Sequence, residues 1–86
     1  MKSRKKAKSL EEEQKRVIEQ VAARLKALRL EKGHTSYEKF AISNDIDRSQ
    51  YGKYERGVDM QISSLVKVLT TLNVSIGEFF SKGFNE

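Results

Sequence analysis

The chain has 86 residues, enough for one small domain with a single core, and it contains no cysteine. Its formal net charge of +5 comes from the first eight residues, which hold five of the 17 basic side chains and no acid. These features exclude disulfide and thiolate chemistry and a membrane-spanning segment. They favour a polyanion as the partner, nucleic acid before an anionic membrane.

The N-terminal segment, residues 1–8, is predicted to be a flexible basic arm, and residues 9–86 are predicted to form the folded domain. The cations of the arm are Lys2, Arg4, Lys5, Lys6 and Lys8. No apolar run follows them, so the segment is not a signal peptide, and it lacks the apolar or lipidated second signal that stable membrane anchoring needs. We therefore expect the arm to contact DNA phosphates, and we expect a cytoplasmic protein.

Helical periodicity predicts an all-α domain of five helices, one long and four short, without strands. The first helix runs from Ser9 to Lys32, and the apolar residues that share one of its faces are Leu10, Val17, Val21, Leu25 and Leu28. Ser9 and Glu12 form a capping box at its start, and Gly33 ends it.

The second helix is short and begins at a capping box formed by Thr35 and Glu38 in "TSYE". Phe40 and Ala41 are its inward residues, and it ends in the turn residues "SND". Asp47 then caps the third helix.

The third helix ends at Gly57, and two more helices follow it. The fourth helix has an apolar face made of Ile62, Leu65, Val66, Leu69 and Leu72. Ser75 and Glu78 form a third capping box, and Phe79 and Phe80 follow in the fifth helix.

The third helix has a polar face and an aromatic face. At about 100° per residue, an arc of roughly 140° carries the basic and small residues Arg48, Ser49, Gly52, Lys53 and Arg56. Tyr51 and Tyr54 lie opposite and are predicted to face the core. Gly52 costs about 1 kcal/mol of helix propensity relative to alanine. We interpret it as the place where a bulky group, the DNA, comes close to the helix backbone.

A short basic helix that follows another short helix and a tight turn suits the major groove of DNA. Its first turn holds Arg48, Ser49 and Gln50, and this is the end that reaches base edges in helix-turn-helix docking. The alternative is that these side chains only form a solvated polar face. Docking in the major groove is favoured, because a short helix and a turn precede this helix and the chain carries a basic arm.

Between residues 17 and 80 the sequence resembles the Cro and phage-repressor type of helix-turn-helix domain, the XRE family. The resemblance rests on the order and spacing of "ALRLEKG", of Phe40 followed by Ala41, of "ERG" at residues 55–57, and of "SLVKVLTTLNVSIGEFF". It implies a compact repressor-like domain in which the third helix is the recognition helix.

Three positions depart from the family pattern. Asp45 stands where the family usually has glycine in the turn, and aspartate tolerates left-handed geometry better than most residues. Asn44 stands where an apolar residue is common. The loop "GHTS" is one residue longer than usual. The resemblance therefore implies that Ser36 caps the second helix, whereas the capping-box pattern predicts Thr35.

The resemblance also implies the residues that contact DNA. Those expected at base edges are Arg48, Ser49, Gln50 and Lys53. Those expected at phosphates, besides the arm, are Ser36, Tyr37 and Arg56. It further implies a structural ion pair between Arg29 and Glu55 that joins the first helix to the third.

Two surfaces compete as the interface of a homodimer. The C-terminal aromatic residues Phe79, Phe80 and Phe84 are favoured, with at least one of them closing the core. The competing surface is the start of the first helix, residues 9–16, which precede the family-like region and have no evident partner.

We expect a sequence-specific regulator of transcription that binds double-stranded DNA, a repressor that occupies a near-palindromic operator as a homodimer. His34 lacks companions for a metal site, and a turn and a helix cap account for Asp45 and Asp47. We therefore expect no metal, no cofactor, no small-molecule ligand and no catalysis.

Two other functions are weighed against DNA regulation. One is a protein-interaction module, such as an antitoxin, whose DNA binding is secondary, and a partner that co-purifies in fixed ratio would favour it. The other is RNA binding, which calls for exposed aromatic side chains that stack on bases. The inward tyrosines argue against it.

Overall fold

The computed structural model describes residues 9–84 and contains, within that range, five α-helices and no strand. The helices are α1 (Leu10–Glu31), α2 (Tyr37–Ser43), α3 (Arg48–Glu55), α4 (Ile62–Leu72) and α5 (Ile76–Phe80). The prediction of an all-α domain with one long and four short helices is confirmed. The predicted arm and its cations lie outside the described residues.

Side-chain caps begin four of the five helices. At α1 the Ser9 hydroxyl accepts a hydrogen bond from the Glu12 amide, and the Glu12 carboxylate accepts one from the Ser9 amide, both at 3.0 Å. The Asp47 carboxylate caps α3 by accepting from the Gln50 amide at 2.8 Å. The Ser75 hydroxyl caps α5 in the same way. These caps satisfy amide groups that have no partner inside the helix.

The sequence leaves Thr35 and Ser36 as alternative caps of α2, and the structure distinguishes between them. The Ser36 hydroxyl accepts a hydrogen bond from the Lys39 amide at 3.2 Å, so Ser36 and not Thr35 is the cap. The longer "GHTS" loop therefore ends one residue later than the capping box predicts. This result places Ser36 at the start of α2, immediately before Tyr37.

The turn between α2 and α3 tolerates its unusual residues for separate reasons. Asp45 has a φ of +59°, in the left-handed region where aspartate is accepted. The Asn44 side chain donates a hydrogen bond to the Phe40 carbonyl at 2.8 Å, which satisfies a polar group at a half-buried position. The Lys67 ammonium of α4 donates to the Asp45 carbonyl at 3.1 Å and ties the turn to the domain.

The core draws side chains from all five helices. Its buried members are Leu25, Leu28, Phe40, Ala41, Tyr51, Tyr54, Leu65, Val68, Leu69, Leu72, Val74 and Phe79. Aromatic rings connect its layers, because Tyr51 packs on Phe40 with ring centroids 5.3 Å apart. The ring of His34 in turn lies on Phe40, so the one histidine serves packing.

Two predicted apolar faces are only partly buried. On α1, Leu25 and Leu28 are buried, whereas Leu10 is 72% exposed and Val17 is 38% exposed. Periodicity identifies the apolar side of a helix, but it does not say how far the neighbouring helices extend along it. The first two turns of α1 therefore carry an apolar stripe that the domain leaves uncovered.

The buried face of α4 is also rotated about the helix axis relative to the predicted apolar face. Ile62 and Val66 are exposed, and Val68, which the predicted face omits, is buried. The buried positions of α4 recur at three, four and seven residues from Leu65, which is one continuous helical face.

Candidate nucleic-acid interface

The basic face of α3 points outward because its tyrosines are held in the core. Tyr51 is fully buried and Tyr54 is 8% exposed, as predicted. The side chains of Arg48, Ser49 and Lys53 are exposed on the opposite side, and Gln50 is exposed on the flank nearer Tyr54. The tyrosines thus fix which side of this eight-residue helix faces solvent.

An open cleft forms where the start of α2 meets α3. Its lining residues are Tyr37, Glu38, Arg48, Ser49 and Arg56. Two residues expected at base edges and two expected at phosphates therefore share one concave surface. Gln50 lies elsewhere, in a separate cleft between α3 and α4, and Lys53 lines neither.

Glu38 adds a negative charge to a cleft that is otherwise basic. The sequence marks Glu38 only as part of a capping box, and nothing in that motif indicates a site residue. Its nearness to Arg48 and Arg56 becomes visible only when α2 packs against α3. This carboxylate repels anions, so the cleft is not uniformly attractive to them.

Gly52 is buried, contrary to the prediction of an exposed gap. A Cβ atom placed on it would lie 2.9 Å from Cε1 of Tyr37 and 3.1 Å from Nη1 of Arg56. A bulky group does approach the backbone at Gly52, but it is the Tyr37 ring of the same chain. The assignment of that group to DNA is wrong. Because Tyr37 begins α2, the contact sets the distance between the two helices of the motif.

The Arg29 guanidinium and the Glu55 carboxylate form the ion pair that the family resemblance implies. Nε of Arg29 donates to one carboxylate oxygen at 2.7 Å and Nη2 donates to the other at 3.0 Å. The side chains are 4% and 8% exposed. Nη1 also donates to the His34 carbonyl at 2.6 Å. One guanidinium thereby joins α1, the end of α3 and the loop before α2.

Hydrogen bonding to Glu55 raises the pKa of Arg29, which therefore stays charged although it is buried. The hydroxyl of Tyr51 lies beside this pair, is buried, and makes no hydrogen bond of acceptable geometry. Burial, and then the adjacent Glu55 carboxylate, raise the pKa of the Tyr51 phenol far above its ordinary value of 10.

Replacing Tyr51 with phenylalanine should reduce the loss of stability at high pH. An unfolded tyrosine ionises near pH 10, whereas folded Tyr51 stays neutral well above that. Below about pH 10 both states keep the phenol protonated, so Tyr51 does not make the free energy of unfolding depend on pH. Above it the unfolded state gains a phenolate, and the free energy of unfolding falls by up to about 1.4 kcal/mol per pH unit. Urea unfolding of both proteins between pH 8 and 11 measures the difference.

At pH 7 the variant should be about as stable as the parent, because the lost hydroxyl is buried without a partner. Parallel stability curves across the alkaline range would show that Tyr51 contributes nothing to alkaline unfolding.

The C-terminal aromatic residues form one ring cluster with unequal exposure. Phe79 is fully buried and belongs to the core, so its assignment to a dimer interface is wrong. Phe80 is 39% exposed, and Phe84 packs against both other rings, with centroids 5.7 Å and 4.7 Å away. Arg24 fixes this end of the domain, because its guanidinium donates to the Glu78 and Phe79 carbonyls.

Among residues 9–84 no group of acidic, histidine or cysteine side chains could hold a metal ion. No helix in the same range is long and apolar enough to cross a membrane.

The chain is similar to the control protein C.MunI of a Mycoplasma species. The two are 37% identical over 59 residues, which cover 67% of this chain and 80% of that protein. No protein-family model and no solved structure matches the chain. The match extends over most of both chains. The chain therefore belongs to the control-protein family of XRE-like helix-turn-helix regulators.

Proposed function

We propose that the chain represses transcription by binding a near-palindromic operator as a homodimer, with α3 in the major groove of double-stranded DNA. The observation that carries this proposal is the outward basic face of α3, which buried Tyr51 and Tyr54 hold in place beside the start of α2. Similarity to a control protein supports a regulatory role. Repression then follows from occupancy, since a protein on the operator obstructs polymerase.

The side chains divide by their expected contacts. Arg48, Ser49 and Lys53 read base edges, and Gln50 is a further candidate on the first turn of α3. Tyr37 and Arg56 line the cleft beside them and contact phosphates, together with Ser36 at the start of α2. A helix start favours a phosphate even without positive side chains. Gly52 has no role in this account, because Tyr37 covers it.

Selection of bound sites from random duplex DNA tests the proposal directly. We expect a preferred sequence with two related half-sites, because a two-fold dimer reads a site of the same symmetry. A selection that returns no preference would contradict sequence-specific binding.

On the selected site, Lys53→Ala should weaken binding by about 1 to 3 kcal/mol and relax the preference at particular base positions. Lys53 is exposed on the outward face, so the fold should be unaffected. Lys26→Ala is the matched control, since it removes the same charge from an exposed position on α1. Equal losses on the selected and on random DNA would show that Lys53 contacts only phosphate.

We also propose that the arm, residues 1–8, lies along the DNA backbone. Each neutralised phosphate steepens the dependence of log K on log salt by roughly 0.9. Deleting the arm should flatten that slope by about two to four per subunit, allowing for incomplete contact. Affinity should fall similarly on selected and random DNA, and it should not depend on whether the flanks are A·T-rich or G·C-rich.

An arm that enters the minor groove would instead lose more affinity on A·T-rich flanks, where that groove is narrow and strongly negative. A slope that deletion leaves unchanged on both kinds of flank would mean that the arm has no part in DNA binding.

A further inference from the structure

Exposed apolar side chains collect in one groove of the domain. Nine large apolar side chains are exposed among residues 9–84, and four of them, Val17, Val58, Ile62 and Phe80, line this groove. The groove lies between the N-terminal half of α1, the loop after α3 and the first turn of α4. Exposed apolar residues that stand singly need no explanation, whereas a contiguous set marks a surface that another segment covers.

Leu10 extends the same apolar stripe beyond the groove. It is 72% exposed, the most exposed of the nine. It lies two helical turns before Val17 on the same side of α1, about 10 Å along the axis. Ile18, which also lines the groove, lies one residue further on. The chain thus carries a projecting leucine and an apolar groove on a single helix face.

The charges on the first turns of α1 are arranged to attract a reversed copy of the same helix. Glu11 and Lys15 are both exposed on one flank of the apolar stripe, with the acid nearer the N-terminus. In a parallel pair of these helices related by a two-fold axis, each flank faces the opposite flank of the partner, so Glu11 and Lys15 of the two copies would not meet. In an antiparallel pair, Glu11 of each copy reaches Lys15 of the other.

The register that pairs the apolar residues also leaves the charges within reach, because Glu11 then lies about 3 Å along the axis from Lys15 of the other copy. A two-fold axis near Gln14 brings Leu10 of each copy opposite Ile18 of the other, at the groove. Such a contact uses the same surface twice and closes on itself, as the interface of a symmetric dimer does. Phe80 lies at the groove, so this surface joins the exposed part of the C-terminal aromatic cluster.

We propose that the groove is occupied by a second copy of this chain, with the two α1 helices antiparallel and Leu10 of each copy in the groove of the other. This inference rests on the proposed function, since it specifies the surface of the homodimer proposed above. It makes residues 9–16 part of the dimer interface and leaves the cleft between α2 and α3 open to DNA.

Substitution of Leu10 tests this assignment. Leu10→Gln keeps a helix-forming side chain of similar length, and the dissociation constant of the dimer, measured by sedimentation equilibrium, should rise at least about tenfold. Leu30→Gln is the matched control, because Leu30 is an exposed leucine at the other end of α1, outside the groove. A dimer unaffected by Leu10→Gln, or weakened equally by both changes, would overturn the proposal.

A charge exchange tests the antiparallel direction without altering the apolar contact. Glu11→Lys alone should weaken the dimer, since the new positive charge on each copy then faces the positive charge of Lys15 on the other. Adding Lys15→Glu should restore the dissociation constant, because opposite charges face each other again. Failure of the double variant to recover, with helix content unchanged by circular dichroism, would rule out this pairing.

Failure of this inference can be told apart from failure of the proposed function. If the parent chain is monomeric at all concentrations, the inference is wrong whatever the DNA results. If the parent chain dimerises as described but selects no DNA sequence, the interface stands and the proposed function is wrong. Selective DNA binding combined with a dimer insensitive to Leu10→Gln would overturn the interface alone.

Discussion

Replacing Arg29 with methionine should lower the free energy of unfolding by about 3 to 5 kcal/mol. The change leaves the Glu55 carboxylate, 8% exposed, without the two hydrogen bonds that hold it. An unpaired charge in such a place costs much more than the net worth of the pair, because its desolvation is no longer offset. The His34 carbonyl also loses its donor. Urea unfolding at pH 7 measures the loss.

The double change Arg29→Met with Glu55→Leu should recover much of that stability, since apolar side chains of similar volume can replace a buried ion pair. Recovery should be partial, because the His34 carbonyl still lacks its donor. Arg48→Met is the control for the loss of an exposed arginine and should alter stability by less than about 0.5 kcal/mol. If Arg29→Met is as stable as the parent, the ion pair does not stabilise the fold as described.

Replacing Phe79 with alanine should cost about 3 to 5 kcal/mol of unfolding free energy, the usual loss when a buried aromatic ring leaves a cavity. Phe79 is fully buried and packs against both Phe80 and Phe84. Phe80→Ala is the matched comparison, because the neighbouring ring is 39% exposed and should cost clearly less in the monomer.

Unfolding is best followed at several protein concentrations, since association stabilises the folded state by mass action. A loss for Phe80→Ala that grows with concentration would assign that ring to an interface. Similar losses for the two variants at low concentration would contradict the division between core and surface.

The features that depend on short stretches of sequence were predictable. Ser9, Asp47 and Ser75 cap helices because a hydroxyl or carboxylate can reach an amide three residues on, and this geometry is local. The inward direction of Tyr51 and Tyr54 followed from the helical period alone. The pair Arg29 and Glu55 did not follow from any local pattern, since the two residues are 26 apart, and only the family resemblance indicated it.

The features that failed depend on how distant elements meet. Gly52 looked exposed because a helical wheel shows the direction of a position, not what lies over it, and the Tyr37 ring covers it. The solvent exposure of Leu10 depends on how far the rest of the domain extends along α1. Glu38 entered the candidate site only through the packing of α2 on α3. Packing of this kind has no signature in the spacing of residues.

The contact between Tyr37 and Gly52 has a consequence for how such a domain can diverge. A larger residue at position 52 requires the ring at position 37 to shrink or move, so substitutions at these two sites should occur together among relatives. Arg48, Ser49 and Lys53 are exposed and carry no such mutual constraint. Under the proposed function, operator preference can therefore change by single substitutions on α3, while the spacing of α2 and α3 changes only by paired ones.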